Sequence, residues 1–164
     1  MTDKTKGEAL ALADDEVIRG MLAQVCAMTD MGFAAVARVT QDHWIACQVL
    51  DKIEFGLQPG SELAIKKTIC DEIRDSGMGV IIDDVDADQQ WRTHPVPIIY
   101  GFKSYISLPI RLPDGSFFGT LCAIDPVRRS VSSHDAVRVM TEFAAKIGAL
   151  IAEKYQTAWP RASG

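Results

Sequence analysis

Three features predict an α+β fold in which helices from both ends of the chain cover one face of a central antiparallel sheet of about five to six strands. Two runs of β-formers flank Asp114-Gly115, amphipathic helical patterns occupy both ends, and between them come hairpin, loop, short helix, strand, long loop and hairpin. In that order the middle segments fall on the opposite face of the sheet, and a ligand pocket is expected there.

Residues 1–31 read as an N-terminal helical element. From Glu8 to about Thr29, Val17, Ile18, Met21, Leu22, Val25 and Met28 recur at helical spacing, and Gly32 is expected to end the helix. Phe33 to Val39 and Trp44 to Val49 flank Gln41-Asp42 as a first hairpin, and Phe55 to Gly60 is a loop by its Gly and Pro content. Thr68-Ile-Cys-Asp71 matches a capping box with an acidic third position, which starts a short helix before Gly77 and puts Cys70 in its first turn. Val80 to Ile82 reads as a short buried strand. Asp83 to Pro97 is an acidic, proline-bearing loop, expected to be the most mobile region.

Residues 32–126 thus make the core of one domain that 127–156 completes. Ser132 or Ser133 caps a last helix running to about Tyr155. Its stripe Ala136, Met140, Phe143, Ile147 and Leu150 covers the sheet. A second stripe, Val137, Ala144, Ile151 and Tyr155, is either free to pair with another copy of the chain or part of the same packing. Residues 157–164 read as a loose tail.

In the last hairpin, a two-residue loop at Asp114-Gly115 pairs Leu112 with Phe117, Ile110 with Gly119, Leu108 with Leu121 and Ser107 with Cys122. Alternation then sends Ile106, Leu108, Ile110, Gly119, Leu121 and Ala123 to one face and Tyr105, Ser107, Thr120 and Cys122 to the other. The first face suits packing under helices. The second carries short polar groups, a thiol and a phenol, which suits a small pocket or, alternatively, a half-exposed sheet facing water.

Composition narrows the function classes. A net charge of -5 and an isoelectric point near 5.1 oppose binding to a phosphate backbone, so nucleic acid is not an expected partner. No apolar run is long enough for a membrane span, and the N-terminus lacks a signal-peptide core. Cys26, Cys47, Cys70 and Cys122 are dispersed, without disulfide or zinc spacing, which points to a reducing cytoplasm. His43, His94 and His134 have no ligand spacing, and Asp84, Asp86 and Asp88 open like a calcium loop that lacks its glycine and terminal glutamate. The sequence identifies no cofactor.

Cys70 is the candidate reactive group. A helix start favours thiolate, whereas Asp71 and Glu72 oppose it, and a buried cysteine acting as a small hydrophobe is the alternative. Trp91 and Tyr100 bracket the long loop as pocket-mouth aromatics or as core anchors, and His94 either closes over the pocket or stays on the loop surface.

The segments Gly32-Phe-Ala-Ala-Val-Ala-Arg-Val39, Thr68-Ile-Cys-Asp-Glu-Ile-Arg74, Val80-Ile-Ile-Asp-Asp-Val85, Tyr100-Gly-Phe-Lys-Ser-Tyr-Ile-Ser-Leu-Pro-Ile110 and Gly119-Thr-Leu-Cys-Ala-Ile-Asp-Pro126, in this order, resemble the GAF family of small-molecule sensory domains. The resemblance implies a regulatory domain of the kind found in bacterial sensor histidine kinases and other two-component signalling proteins. It implies an unidentified small-molecule ligand, a homodimer through the terminal helices, and a signal leaving to an output domain or kinase. Cys70, Trp91, His94, Tyr100, Tyr105, Ser107, Thr120 and Cys122 are the ligand-binding candidates on that view. A subgroup, the free methionine-(R)-sulfoxide reductases, uses cysteines lining this pocket. Cys70 matches one of them, but residues 98–104 and 58–60 hold no partner thiol. The cyclic-nucleotide signature of other members needs an asparagine, which this chain lacks altogether, and no cysteine precedes histidine as in bilin-attaching members. The remaining alternative is a ligand-free dimerisation module.

Overall fold

The computed structural model describes residues 7, 9–64 and 69–155, and its six strands form one antiparallel sheet. Strands β1 (Phe33–Val39), β2 (His43–Asp51), β3 (Glu62–Ala64), β4 (Val80–Ile82), β5 (Ser104–Arg111) and β6 (Phe117–Asp125) lie in the order β3-β2-β1-β6-β5-β4. Helices α1 (Glu16–Thr29) and α4 (His134–Lys154) pack on one face. The short helices α2 (Cys70–Ser76) and α3 (Pro95–Tyr100), with the connecting segments, cover the other.

Alternation along the strands separates two cores. Ile106, Leu108, Ile110, Leu121 and Ala123 lie under the terminal helices, while Tyr105 and Cys122 face the other way. Ser107 and Thr120 are fully buried, so that face is not a wet sheet surface. Where α4 crosses β5 the backbones nearly touch: a Cβ on Gly148 would stand 2.0 Å from the Arg111 carbonyl oxygen.

The last hairpin turns differently from the two-residue loop expected. Gly115 N–H donates to Leu112 O and Leu112 N–H to Ser116 O, with Gly115 alone in the left-handed region at φ 89°. Pro113 presets the first bend, so the loop has three residues, Pro113-Asp114-Gly115. A one-residue change of loop length would turn every side chain over. The irregularity between Ile110 and Arg111 absorbs it, Arg111 pairs with Phe117 instead of Leu112, and Ser107 still faces Cys122.

The N-terminal element is broken rather than continuous. The chain turns through residues 11–14, and α1 starts at Glu16 because the Asp15 carboxylate accepts from Ile18 N–H at 3.0 Å as its N-cap. The helix ends at Thr29 with Asp30 left-handed, not at Gly32. Gly32 serves a close approach instead, since a Cβ there would meet Ile53 Cγ2 at 2.2 Å. Gln48 Nε2 donates to Leu12 O and Asp15 O, fixing this start against β2.

Ser133 caps α4 by accepting from Ala136 N–H. Its second stripe is not free: Ala144 and Ile151 are buried in the helix-side core, and Val137 and Tyr155 pack against it. A helix lying on a sheet beside another helix buries a face wide enough to take in both stripes.

The acidic loop is structured as well. It holds a turn of 3₁₀ helix at Val85–Ala87 and then α3, with His94 as N-cap and Pro95 at the first helical position. Thr68 and residues 157–164 lie outside the described residues. No helix of the described residues is long and apolar enough to cross a membrane.

Candidate functional site

Tyr105 on β5 and Cys122 on β6 sit side by side on the far face because their strands pair Tyr105 with Ile124 and Ser107 with Cys122. Cys70, the first residue of α2, meets them from the covering layer. Its Sγ lies 3.3 Å from Thr120 Oγ1, 3.7 Å from Tyr105 OH and 4.0 Å from Ser107 Oγ. Thiol and hydroxyls satisfy one another in a buried site.

Of the two readings of Cys70, the buried small hydrophobe fits this burial, and the pull of a helix start toward thiolate is outweighed. Ile69 occupies the N-cap position with no side-chain hydrogen bond, and burial pushes the Cys70 thiol up, outweighing the bonds from Thr120, Tyr105 and Ser107. Burial also holds Cys122 well above its usual range, as it does Tyr105, and in both cases the neighbouring Cys70 adds to the effect. At neutral pH the cluster is uncharged.

Beside it lies a cavity of about 50 Å³ with almost wholly apolar walls. Cys70, Tyr100, Tyr105 and Cys122 line it, whereas Ser107 and Thr120 stand behind Cys70 as its hydrogen-bond partners. Trp91 and His94 do not reach it. Trp91 is a buried anchor of the far-side core, its ring 4.8 Å from that of His94. The His94 Nδ1 accepts from Val96 N–H, and its Nε2 lies 3.7 Å from Glu72 Oε2.

The sequence reading missed most of the wall: Phe33, Trp44, Phe55, Leu57, Leu63, Ile69, Val96, Phe102 and Ile124. Trp44 and Ile124 follow from strand alternation, and Phe55 with Leu57 stand out as apolar residues in a loop rich in glycine and proline. The three aspartates that open like a calcium loop, Asp84, Asp86 and Asp88, build turns and a surface pair. Asp84 accepts from Asp86 N–H, Asp88 from Gln90 and Trp91 N–H, and Asp86 pairs with Lys103 at 3.0 Å. Among the described residues no group of three or more His, Cys, Asp and Glu is arranged to hold a metal ion.

A stretch of 51 residues is 45% identical to diguanylate cyclase DgcP of Escherichia coli K12, and it spans 31% of this chain and 15% of that protein. Among solved structures, the chromophore-binding domain of the bacteriophytochrome RpBphP3 from R. palustris superposes with a TM-score of 0.70 at 12% identity, covering 95% of this chain and 62% of that one. The free methionine-R-sulfoxide reductase of Neisseria meningitidis, solved with its substrate, has a TM-score of 0.64 at 17% identity and covers 93% and 87%. At these identities the structures share the fold alone. The family model of the GAF domain matches residues 15–151, from the cap of α1 to the last turns of α4, and the chain therefore belongs to the GAF domain family.

Proposed function

We propose that this domain is a regulatory sensor that binds a small molecule on the far side of its sheet and relays occupancy through its terminal helices to a partner chain or output domain. One observation carries the reading: the apolar cavity is closed by chain segments of the covering layer, while both terminal helices lie on the opposite face. Likeness to part of a diguanylate cyclase and to a phytochrome's chromophore-binding domain supports a signalling setting.

The relay has identifiable contacts. The Asp83 carboxylate, at the end of β4, accepts from Val131 N–H at 2.7 Å, Ser132 N–H at 2.8 Å and the Ser132 hydroxyl, just ahead of α4. The Asp125 carboxylate accepts from Gly32 N–H and Val127 N–H, both at 2.8 Å, which joins the roots of α1 and α4. A ligand that shifts the covering layer therefore changes the lead-in to both helices, and it acts by its differential affinity for the two arrangements. On the outer side of α1, Val17 and Met28 are exposed apolar residues on one face and suit contact with a second chain.

Cavity size favours one rival, an interaction module whose pocket is filled by its own side chains: about 50 Å³ is a third of the ~150 Å³ that takes benzene. Cys70 and Cys122 share the cavity as a thiol-dependent reductase requires, but both are held as thiols, so no turnover of methionine sulfoxide is expected. Amide exchange with a molecule recovered from metabolite extract tests the proposal. Saturation should slow exchange within 83–103 and alter it at Val131 and Ser132; a bound molecule that changes neither would remove the relay.

A further inference from the structure

The cavity does not end at its inner wall. Outside it lies a groove of about 420 Å³, and Phe55, Leu57, Tyr100, Phe102 and Ile124 belong to the walls of both. Two of these shared residues, Phe55 and Tyr100, form a ring pair. Phe55 lies 6.1 Å from Tyr100 and 5.1 Å from Phe33, centroid to centroid.

Phe55 belongs to a strap whose backbone is held independently of its ring. The Asp51 carboxylate accepts from Ile53 N–H at 3.2 Å and Phe55 N–H at 3.0 Å through one oxygen, and from Gly56 N–H at 2.9 Å through the other. Gly32 O accepts from Lys52 N–H at 2.7 Å. The residues on either side of Phe55 are both left-handed, Glu54 at φ 55° and Gly56 at φ 100°. For a glutamate that conformation is unfavourable by roughly 1–2 kcal/mol. The strap is strained and pinned at its ends, with an aromatic ring projecting from its middle.

Among the described residues, charge in the two spaces has one sign: Glu54 and Asp125 are the charged wall residues, and no described Lys, Arg or His contributes to either. The nearby Arg129 is engaged with Asp30 at 3.0 Å and Asp125 at 3.6 Å. An anionic group entering here would lose its hydration with no cation among the described wall residues to replace it.

We infer that cavity and groove are the two halves of one site, parted by the Phe55–Tyr100 rings as a gate, and that the site takes an elongated, largely apolar molecule without negative charge. The inference rests on the sensor reading and gives its ligand a chemical class. The inner chamber is too small for a six-membered ring until the gate opens, whereas the joined chambers fall in the ~300–1,000 Å³ range of ordinary ligand sites.

Two fluorescent probes with one ring skeleton test it: neutral N-phenyl-1-naphthylamine, and 1-anilinonaphthalene-8-sulfonate, which adds a sulfonate. Titrated into the whole folded chain, the neutral probe should bind one to one and about tenfold or more tighter than the sulfonate. Phe55→Ala removes the gate while the strap's main-chain bonds to Asp51 remain, and should tighten the neutral probe about fivefold, because the open state no longer has to be selected. Leu57→Trp, at the half-buried rim, should fill the groove and weaken the same probe about fivefold, which keeps the test valid if Phe55→Ala fails to fold. Equal affinity for the two probes, or no effect of the variants that fold, overturns the inference. Recovery of an anionic ligand from cell extract overturns it too and leaves the sensor reading standing. Probe results as expected, with no molecule retained from extract, would sink the sensor reading and leave the two-chamber site.

Discussion

Cys122 and Ala123 are consecutive on β6, yet the fold assigns them opposite surroundings, so the same side chain placed at each should have different effects. Ala123 is fully buried under the terminal helices and pairs across the sheet with Ala34, also fully buried. Leucine there adds three carbons to a close-packed layer, and overpacking of this kind costs about 1–3 kcal/mol. Cys122 faces the cavity of about 50 Å³. Leucine there is larger by two heavy atoms, which gain about 0.8 kcal/mol per methylene and lose about 0.5–1 kcal/mol of side-chain entropy. Cys122→Leu should therefore lie within about 1 kcal/mol of the parent, while Ala123→Leu falls about 2 kcal/mol below it. Urea titrations with unchanged slope give both values directly, and for a chain of this length the Ala123 variant should also melt about 4–8 °C lower. Equal losses at the two positions would refute the two-faced sheet with a hollow far side.

Other consequences follow from particular contacts. Gly119→Ala would bring a Cβ to 1.8 Å from Ala37 O and Gly148→Ala one to 2.0 Å from Arg111 O, so each should lose roughly 3 kcal/mol or more in the same titrations. Tyr155 OH donates to Asp15 Oδ2 at 2.6 Å, tying the end of α4 to the cap of α1. That bond raises Tyr155 to about 12, so its contribution is complete below the ordinary tyrosine value near 10.0 and is lost as pH rises toward 12. On Asp15, burial pushes the pKa up, but the bonds from Tyr155 and Ile18 with the charge of Lys154 outweigh it. The lowered carboxyl contributes above the usual carboxylate range and loses that contribution as pH falls through its folded value. Tyr155→Phe should flatten the alkaline decline in melting temperature and cost about 1–2 kcal/mol at neutral pH. All four cysteines are buried, so an aromatic disulfide reagent should label none at pH 7.5 in the native state and all of them in urea. Rapid labelling of Cys70 would restore the reactive-thiol view.

Strand alternation is local and needs only the right register, which is why the two faces of β5 and β6 were readable from residues alone. The register survived a misread turn because the irregularity near Ile110 compensates for the extra loop residue that Pro113 introduces. Helix limits were less legible. Leu10 and Leu12 continue an apolar pattern across Asp15, but a side chain that caps α1 also stops anything before it. The second stripe of α4 looked like an interface because periodicity reports how much of a helix is apolar, not what covers it. Cys70 shows the limit of arguing charge from sequence: a helix dipole contributes a fraction of what full burial removes, and burial is a tertiary fact. The gate was least visible. Phe55, Leu57 and Phe102 sit in segments without period, and only the folding of those segments over the sheet brings them to one wall.

Native mass spectrometry of the parent and Cys122→Leu proteins, purified in parallel after exposure to metabolite extract, tests the sensor claim most directly. A hollow far side that serves as the sensing site predicts a small molecule retained by the parent and lost from the filled variant. The same molecule held equally by both, or none held by the parent, would contradict it.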